Sequence, residues 1–552
     1  MDTKPLSTFR GKVWQVVPSV CAMLMCLPFG IMSGWPSPNY PTLTKPVEED
    51  DTMTDPIALI RFTMEESAMV AGFLLIGHTA ATPFSTIRCL RAKYGIVLGA
   101  TLMTIGWIMM WQARDIYYLL GSRFLVGAGN GFGTGQLKYY IGEVCQDSLS
   151  VLLTKQINLY VFAGLILAFA FGLFVDFRQF SIISLVISIL VLFVTIFLPV
   201  PPRELVKNNK IDEARKQISL LSPHLNADDQ LSKIEKKLIS EDTDLSYCDI
   251  LKNSSLRKNL LLFAGTVFFQ QLSGAPATLV YTQMIFASCG CPHPELCALV
   301  YIFAFFLANV YGIFCVPSHH KKRVLLFSCV GVSLLMLVQI VVLIENVNEK
   351  FWNFTSLVVL LLFIVVHTVG LGNVPFSLIP QLFPKEAEKV VGQFFVVLHS
   401  LLALAITKTF QVMFDQIGLL APFCLFLAIS SLSIVFNTAK SPVGALWHDR
   451  SLGLLVVAVL LPTTCRPTPL YLTNKGAALT GRHGRKFVVG NPDCSPDFYS
   501  RSASFVQMTR PPARQGTAHS ASATCFCVIC PNSLLNYNRR SVKASKRAVS
   551  NI

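Results

Sequence analysis

The sequence predicts an all-α membrane protein with twelve transmembrane helices in two six-helix halves. Three observations point there. Of 552 residues, 53% are hydrophobic and only 14% charged, with a mean hydropathy of +0.54, whereas soluble domains carry about 25% charged residues. Twelve windows approach the roughly 20 apolar residues that a helix needs to cross a bilayer. One long polar stretch divides those windows six and six. A chain this apolar could not cover several soluble cores with polar surface. An ordinary soluble enzyme, a disordered chain and a small disulfide-stapled domain are therefore excluded.

The windows can be placed in order. Val13–Gly34, Ala68–Ile87, Ile96–Trp111, Tyr117–Gln136, Ile157–Val175 and Phe180–Pro199 form the first six, in residues 1–200. Ile96–Trp111 is short and must borrow flanking residues. Val13–Gly34 is too long for the apolar core of a cleaved signal and lacks a small-residue cleavage site. After a polar linker, 201–258, come Asn259–Tyr281, Ala298–Val316, Val324–Ile344, Ser356–Leu378, Val391–Met413 and Leu419–Phe436, in residues 259–436.

Loop charge sets the expected topology. Lys4, Arg10 and Lys12 precede the first window. Arg88, Arg91 and Lys93 follow the second, and Lys321, Lys322 and Arg323 lie between the eighth and ninth. The loop after the first window is acidic, with Glu48, Glu49, Asp50, Asp51 and Asp55. The positive-inside bias then places both termini and the linker in the cytoplasm. Within the linker, Arg203–Leu221 and Asp228–Ile239 space apolar residues helically among charges, as short amphipathic helices do.

The formal net charge of +15 suggests nucleic acid or anionic lipid as partners. It is unevenly distributed. From Asn437 onward there are 15 Lys and Arg against 3 Asp and Glu, leaving a net of +3 for the preceding 436 residues. Residues 437–552 are rich in Pro, Ser, Thr, Gly and Arg without a helical or strand period, so a basic, disordered tail is expected. Ser451–Leu461 is apolar but too short to span a bilayer. No nucleic-acid partner is expected for the apolar body.

Local motifs narrow the class. Gly121-Ser-Arg123-Phe-Leu-Val-Gly127 is followed by Gly131, Gly133 and Gly135, then Tyr140-Ile-Gly-Glu143. Glycines at this density let helices approach closely. Pro199-Val-Pro-Pro-Arg203 leaves the sixth window, Gln270-Gln271-Leu272-Ser273-Gly274 lies in the seventh, and Val369-Gly370-Leu-Gly372-Asn-Val-Pro375-Phe376 interrupts the tenth. Together these resemble the sugar porter family of the major facilitator superfamily, most strongly its insect facilitated trehalose and glucose carriers, over about residues 10–436.

The resemblance implies alternating access around a central site that holds a small sugar, hexose or trehalose, by facilitated diffusion. It gives Gln270, Gln271 and Asn158 as sugar contacts and Phe376 as an aromatic platform and cytoplasmic-side gate. An amide offers both donors and acceptors, matching alternating hydroxyls; a lone membrane Gln can equally join helices. Gly370, Gly372 and Pro375 would let the tenth helix bend, or hold a static kink. Arg123 and Glu143 would pair at the cytoplasmic gate. The departures are Pro276 for the family's Asn, Thr368 for its Glu and Gln381 for a second-half Glu. The charged inner loops are reduced to Arg88-Cys-Leu-Arg91-Ala-Lys93 and His319-His-Lys-Lys-Arg323. These leave open a sugar sensor or scaffold of the same fold that does not transport, or a carrier of another small polar solute.

Proton-coupled members of the family carry an Asp in the first helix. Met32 stands at that place in Phe29-Gly-Ile-Met32-Ser-Gly34 and cannot carry a proton, which favours uniport. His78, His367 and His399 can titrate in principle; a structural hydrogen bond is the plainer reading of each. There is no P-loop, no GxSxG elbow and no HExxH, so neither an enzyme nor a cofactor is expected. Cys525, Cys527 and Cys530 lack partner ligands for a metal site. Cys289, Cys291 and Cys297 allow an outer disulfide or unpaired thiols, and Asn353-Phe-Thr355 is a sequon on the expected outer side. The expectation is a monomer in the lipid bilayer, at the plasma membrane by default. In the family the twelfth helix leads into a Pro-Glu-Thr-Lys-Gly-like motif. Here Phe436 leads into Asn437-Thr-Ala-Lys440-Ser-Pro442, which suggests a frameshift, retained intron or misjoined exon, with a genuine lipid-binding tail as the alternative.

Overall fold

A computed structural model describes residues 4–44, 60, 62–86, 92–221, 226–240, 247–316, 321–345 and 350–438. The acidic loop from Glu48 to Asp55, Arg88 and Arg91, His319, and the whole chain beyond Thr438 lie outside these residues.

The all-α expectation holds, with twelve spanning helices among the described residues. Eleven are long and apolar enough to cross a bilayer: α1 (Lys12–Leu43), α2 (Met64–Ser85), α3 (Ala92–Trp111), α5 (Ser148–Phe171), α6 (Phe177–Ile196), α7 (Ser254–Val280), α8 (Pro294–Phe314), α9 (Arg323–Ile344), α10 (Phe354–Leu382), α11 (Lys385–Gln416) and α12 (Leu420–Thr438). The twelfth, α4 (Ile116–Val144), is a single helix of 29 residues whose apolar character is diluted by Arg123, Asn130, Gln136, Lys138 and Glu143 as well as by its glycines.

Helix starts are written locally. Thr63 and Glu66 form a reciprocal capping box on α2, satisfying two of the donors that a helix start leaves open. The Asp115 carboxylate accepts from the amides of Tyr117 and Tyr118 at 2.9 and 3.2 Å, and the Asn253 amide oxygen accepts from Ser255 N at 3.0 Å ahead of α7. Three helices are interrupted. α1 breaks at Leu24 and again at Trp35, where Pro36 begins the final piece. α7 stops at Leu272, turns through Gly274 in the left-handed region (φ 100°) and resumes at Ala275. A Cβ there would be strained, so glycine is required. α10 widens into a π-helical turn over Thr368–Gly372 before resuming at Val374.

Within the N-terminal half, α4 packs along both α2 and α3, and α1 packs on α5. Within the C-terminal half, α9 packs against α10 and α12, and α7 against α11. The halves meet along two seams, α2 with α11 and α5 with α8. Between the halves run helices Pro202–Lys207, Ile211–Leu221, Ala227–Ser240 and Tyr247–Lys252. Leu205, Val206 and Ala214 bury a small separate core there, packed by Ile211, Leu231 and Ile234. The Tyr247 hydroxyl donates to Gln393 Oε1 of α11 at 3.0 Å.

Candidate functional site between the halves

The breaks in α7 and α10 face one another and are tied together by side chains. Pro375 has no amide to donate, so the backbone ahead of it cannot continue a regular ladder. The π turn is the result, and single π turns commonly mark functional positions. Gln270 Nε2 donates to the Gly372 carbonyl at 2.6 Å, and the His367 ring nitrogen Nε2 bonds the Gln270 carbonyl at 3.2 Å. From α9, Ser328 Oγ donates to Val366 O at 2.8 Å and accepts from Leu371 N at 3.1 Å. Asn373 Nδ2 donates to Thr368 O at 2.8 Å. The Gly372, Val366 and Thr368 carbonyls at the break thus each find a side-chain donor, as backbone inside a membrane favours.

The expected site residues divide into two groups. Gln270 and Gln271 are both buried, yet among the described residues the Oε1 atom of each lacks a hydrogen-bond partner. Gln270 spends its donor on the broken helix; Gln271 has no such tie. Gly370 is wedged against Ser328 and Val324 of α9, so an added Cβ would collide there. Gly372 has room, its nearest neighbour lying 3.5 Å from such a Cβ. Pro375 sits in the first turn of the resumed helix, where proline is well tolerated.

Phe376 and Asn158 look across the interface. Phe376 is 44% exposed and packs on Phe395 of α11 at 5.7 Å. From the other half, Lys138 of α4 places its ammonium 5.7 Å from the Phe376 ring centre, a cation–π contact. Asn158 is exposed on α5. It shares a helix face with Lys155 and Phe162, three and four residues away. Phe162 packs edge-on against Phe305 of α8 at 4.6 Å, and Lys155 interacts electrostatically with Lys321, whose ammonium donates to Ser377 O of α10 at 3.2 Å. Asn158 therefore faces the C-terminal half, with accessible space before it. Lys321 precedes the α9 span, and burial followed by the like charge of Lys155 holds it below the usual lysine range.

One end of the interface is closed. The Tyr40 hydroxyl donates to Ser67 O at 2.6 Å, and Ser67 Oγ shares a hydrogen bond of 2.9 Å with the hydroxyl of Tyr281, which directly follows α7. Gln283 N donates to Ser37 Oγ at 3.2 Å, and Lys408 Nζ to Glu65 O at 3.0 Å. Tyr281 stacks on Phe410 at 5.2 Å. Midway along the seam, Ser400 Oγ and His78 Nδ1 lie 3.4 Å apart.

The expected pairing of Arg123 with Glu143 is not made. Both belong to one uninterrupted helix, twenty residues apart, which separates them by about 30 Å at 1.5 Å per residue. Arg123 is instead buried near the end of α4 that joins the Tyr40 cluster. It donates to Met32 O at 3.3 Å and Ala71 O at 3.5 Å, and its guanidinium lies 5.3 Å from the Trp35 ring centre. Glu143 lies at the opposite end of α4. The Cys291 and Cys297 thiols hydrogen-bond to one another without a disulfide, and burial pushes Cys291 up to about 12.

Lys138 was not among the expected site residues. The apolar window closes at Gln136, so the lysine reads as a boundary charge, but α4 runs on to Val144. A cation inside a helix that outlasts its apolar window was the available signal.

Twelve helices in two halves, with polar and aromatic side chains facing one another across the seam, define a polytopic membrane protein. The sequence pattern of the family described as "Sugar (and other) transporter" matches residues 14–442, and the chain belongs to that family. Among curated relatives, it is 25% identical to a facilitated trehalose transporter of Drosophila willistoni over 77% of this chain and 49% of that protein. It is 24% identical to one from Culex quinquefasciatus over 76% of this chain and 82% of that protein. The chain spans about half the length of the first curated relatives it matches. Among solved structures, the xylose transporter of E. coli in a partially occluded inward-open conformation superposes with a TM-score of 0.61. Identity there is 14%, covering 77% of this chain and 98% of that one. The same protein in an inward-open conformation gives a TM-score of 0.62 at 15% identity, covering 78% and 99%. These structures share its fold.

Proposed function

We propose that this protein carries a small sugar, a hexose or trehalose, across a membrane by facilitated diffusion, its two halves rocking to expose a central chamber to each side in turn. Family membership over residues 14–442 carries the reading. The chamber suits it: Gln271 and Asn158 supply hydrogen-bonding amides, Phe376 supplies an apolar face, and the bonds linking Ser67 to Tyr281 and Gln283 to Ser37 close one end. Gln270 braces α10 against α7 through its side-chain NH2 and offers its side-chain Oε1 to solute. Gly370, Gly372 and Pro375 set the break about which α10 moves. Arg123 stabilises the closed end, and Glu143 acts at the other end of α4, without pairing to it. Met32 is buried, its carbonyl held by Arg123, so the first helix offers no carboxylate at that place and uniport is favoured. We place the protein in the plasma membrane as a monomer with both termini cytoplasmic.

Liposomes containing the purified protein test this. Radiolabelled glucose or trehalose uptake should saturate, persist without a pH gradient and fall at least tenfold in Gln271→Ala. Sugar binding without flux in any of a sugar panel would replace the carrier with a non-transporting sensor. Uptake that collapses with the proton gradient would overturn uniport.

A further inference from the structure

The neutral amides of the chamber leave one group unexplained, the ammonium of Lys138. It lies six residues before the end of α4, about 9 Å along the helix axis. Its side chain is exposed and reaches toward the C-terminal half, so it stands in the space between the two halves. Phe376 of α10 faces it at 5.7 Å. The titratable groups around it come from three helices. Cys26 of α1 and His78 of α2 interact with it electrostatically, and His399 of α11 interacts with His78. Phe29 and Phe395 pack on the two histidines at 5.5 and 5.4 Å. Among the described residues, no carboxylate pairs with Lys138.

A cation within a membrane domain is costly unless it is paired or lines a functional pathway. An aromatic face recovers part of that cost, and two imidazoles and a thiol add no fixed negative charge. The unmet requirement is an anion. Lys155 and Lys321, side by side where α5 meets α9 and α10, add positive potential on the interface that Asn158 faces, so an approaching anion is attracted.

The geometry points to a sugar bearing an anionic group, a carboxylate or a phosphate, as the preferred solute of this chamber, with the anion on Lys138 and the ring against Phe376. The anion would replace the Phe376 face as the partner of the ammonium, while Asn158 and Gln271 would bind hydroxyls. His78 would supply a further donor from its shared bond with Ser400. This assignment rests on the central chamber being the solute site.

Uptake into liposomes at equal protein loading tests it, using glucose, glucuronate and glucose 6-phosphate as probes. The wild type should take up at least one of the two anionic sugars with a kcat/KM tenfold or more above that for glucose. Lys138→Gln should bring that ratio to about one, and Lys138→Arg should retain it. Whichever of glucuronate and glucose 6-phosphate is preferred assigns carboxylate or phosphate as the recognised group. Because the readout is a ratio within one preparation, reduced folding of a variant does not imitate the effect. Glucose uptake with no anion preference, or an anion preference unchanged in Lys138→Gln, would overturn the role of Lys138 while leaving sugar transport standing. Absence of uptake of all three probes and of trehalose by the wild type would overturn both.

Discussion

In the N-terminal half, several glycines bring α2, α3 and α4 backbone to backbone; in the C-terminal half, α7, α9 and α10 meet mainly through side-chain hydrogen bonds, with Gly370 on the Val324 carbonyl as one close backbone contact. A Cβ on Gly77 or Gly127 would strike a carbonyl of the facing helix, and Gly129 faces the Gly99 carbonyl in the same way. Such contacts have no side chain that can move aside. The C-terminal half instead uses Gln270 on Gly372, His367 on Gln270, Ser328 on Val366 and Leu371, and Gln339 on Ser356 at 2.7 Å. Hydrogen bonds from side chains can exchange partners as a helix shifts, whereas touching backbones move only together. The difference predicts a stiffer first half and a second half whose helices shift more readily.

The harshest test of that contrast is Gly127→Leu. Its side chain would enter the space of the Leu74 carbonyl, where overpacking costs about 1–3 kcal/mol even when neighbours can yield. Here they cannot, so the monodisperse yield on size exclusion should fall at least tenfold. Gly392→Ala is the control, since nothing lies within 4 Å of a Cβ there; its yield should match the wild type. Normal yield for Gly127→Leu would mean that α2 and α4 can separate.

The second test compares two glycines of one motif. Gly370→Ala should lower the melting temperature by several degrees, because the new methyl meets Ser328 and the Val324 carbonyl. Gly372→Ala should stay within about a degree of the wild type, since its nearest neighbour is in ordinary contact. Equal shifts would show that the π turn, not the α9 contact, sets the need for glycine.

Gln270 and Gln271 separate bracing from binding. Gln270→Leu leaves the Gly372 carbonyl without its donor, a loss of about 1–3 kcal/mol for a buried acceptor, so thermal stability and uptake should fall together. Gln271→Leu removes an amide whose carbonyl oxygen is already unpartnered. It should leave the melting temperature nearly unchanged while KM rises. Matching stability losses would make both residues braces.

How much of this was legible depends on the scale of the signal. Twelve apolar windows announce the fold because crossing a bilayer imposes a length on every helix. The Gln-Gln pair and the Gly-Pro-Phe motif mark the two interrupted helices because glycine and proline act on the backbone at their own positions. The partner of Arg123 was not legible. Motifs place residues along a chain, and the assumption that two charges of one motif meet ignored a helix about 30 Å long between them. Lys138 escaped for the opposite reason: a charge at the edge of an apolar window looks like the end of a span. Only the structure shows that α4 carries it on to stand against Phe376 of the other half.

The smallest expected effect is also the most diagnostic of α4. If Arg123 and Glu143 act at separate ends of one rigid helix, replacing both should do no more than add the two single effects. Arg123→Met alone should be costly, since it frees the Met32 and Ala71 carbonyls and the Trp35 face that the guanidinium covers. Glu143→Gln should leave that end undisturbed. Melting of the two single variants and the double variant gives the interaction term directly. Sites this far apart without shared partners add to within about 0.3–0.5 kcal/mol, whereas a direct ion pair in a dry interior would couple them by more than about 1 kcal/mol. Coupling of that size would show that another conformation brings the two charges into communication, and α4 would then be a moving part, not the fixed spine of the first half.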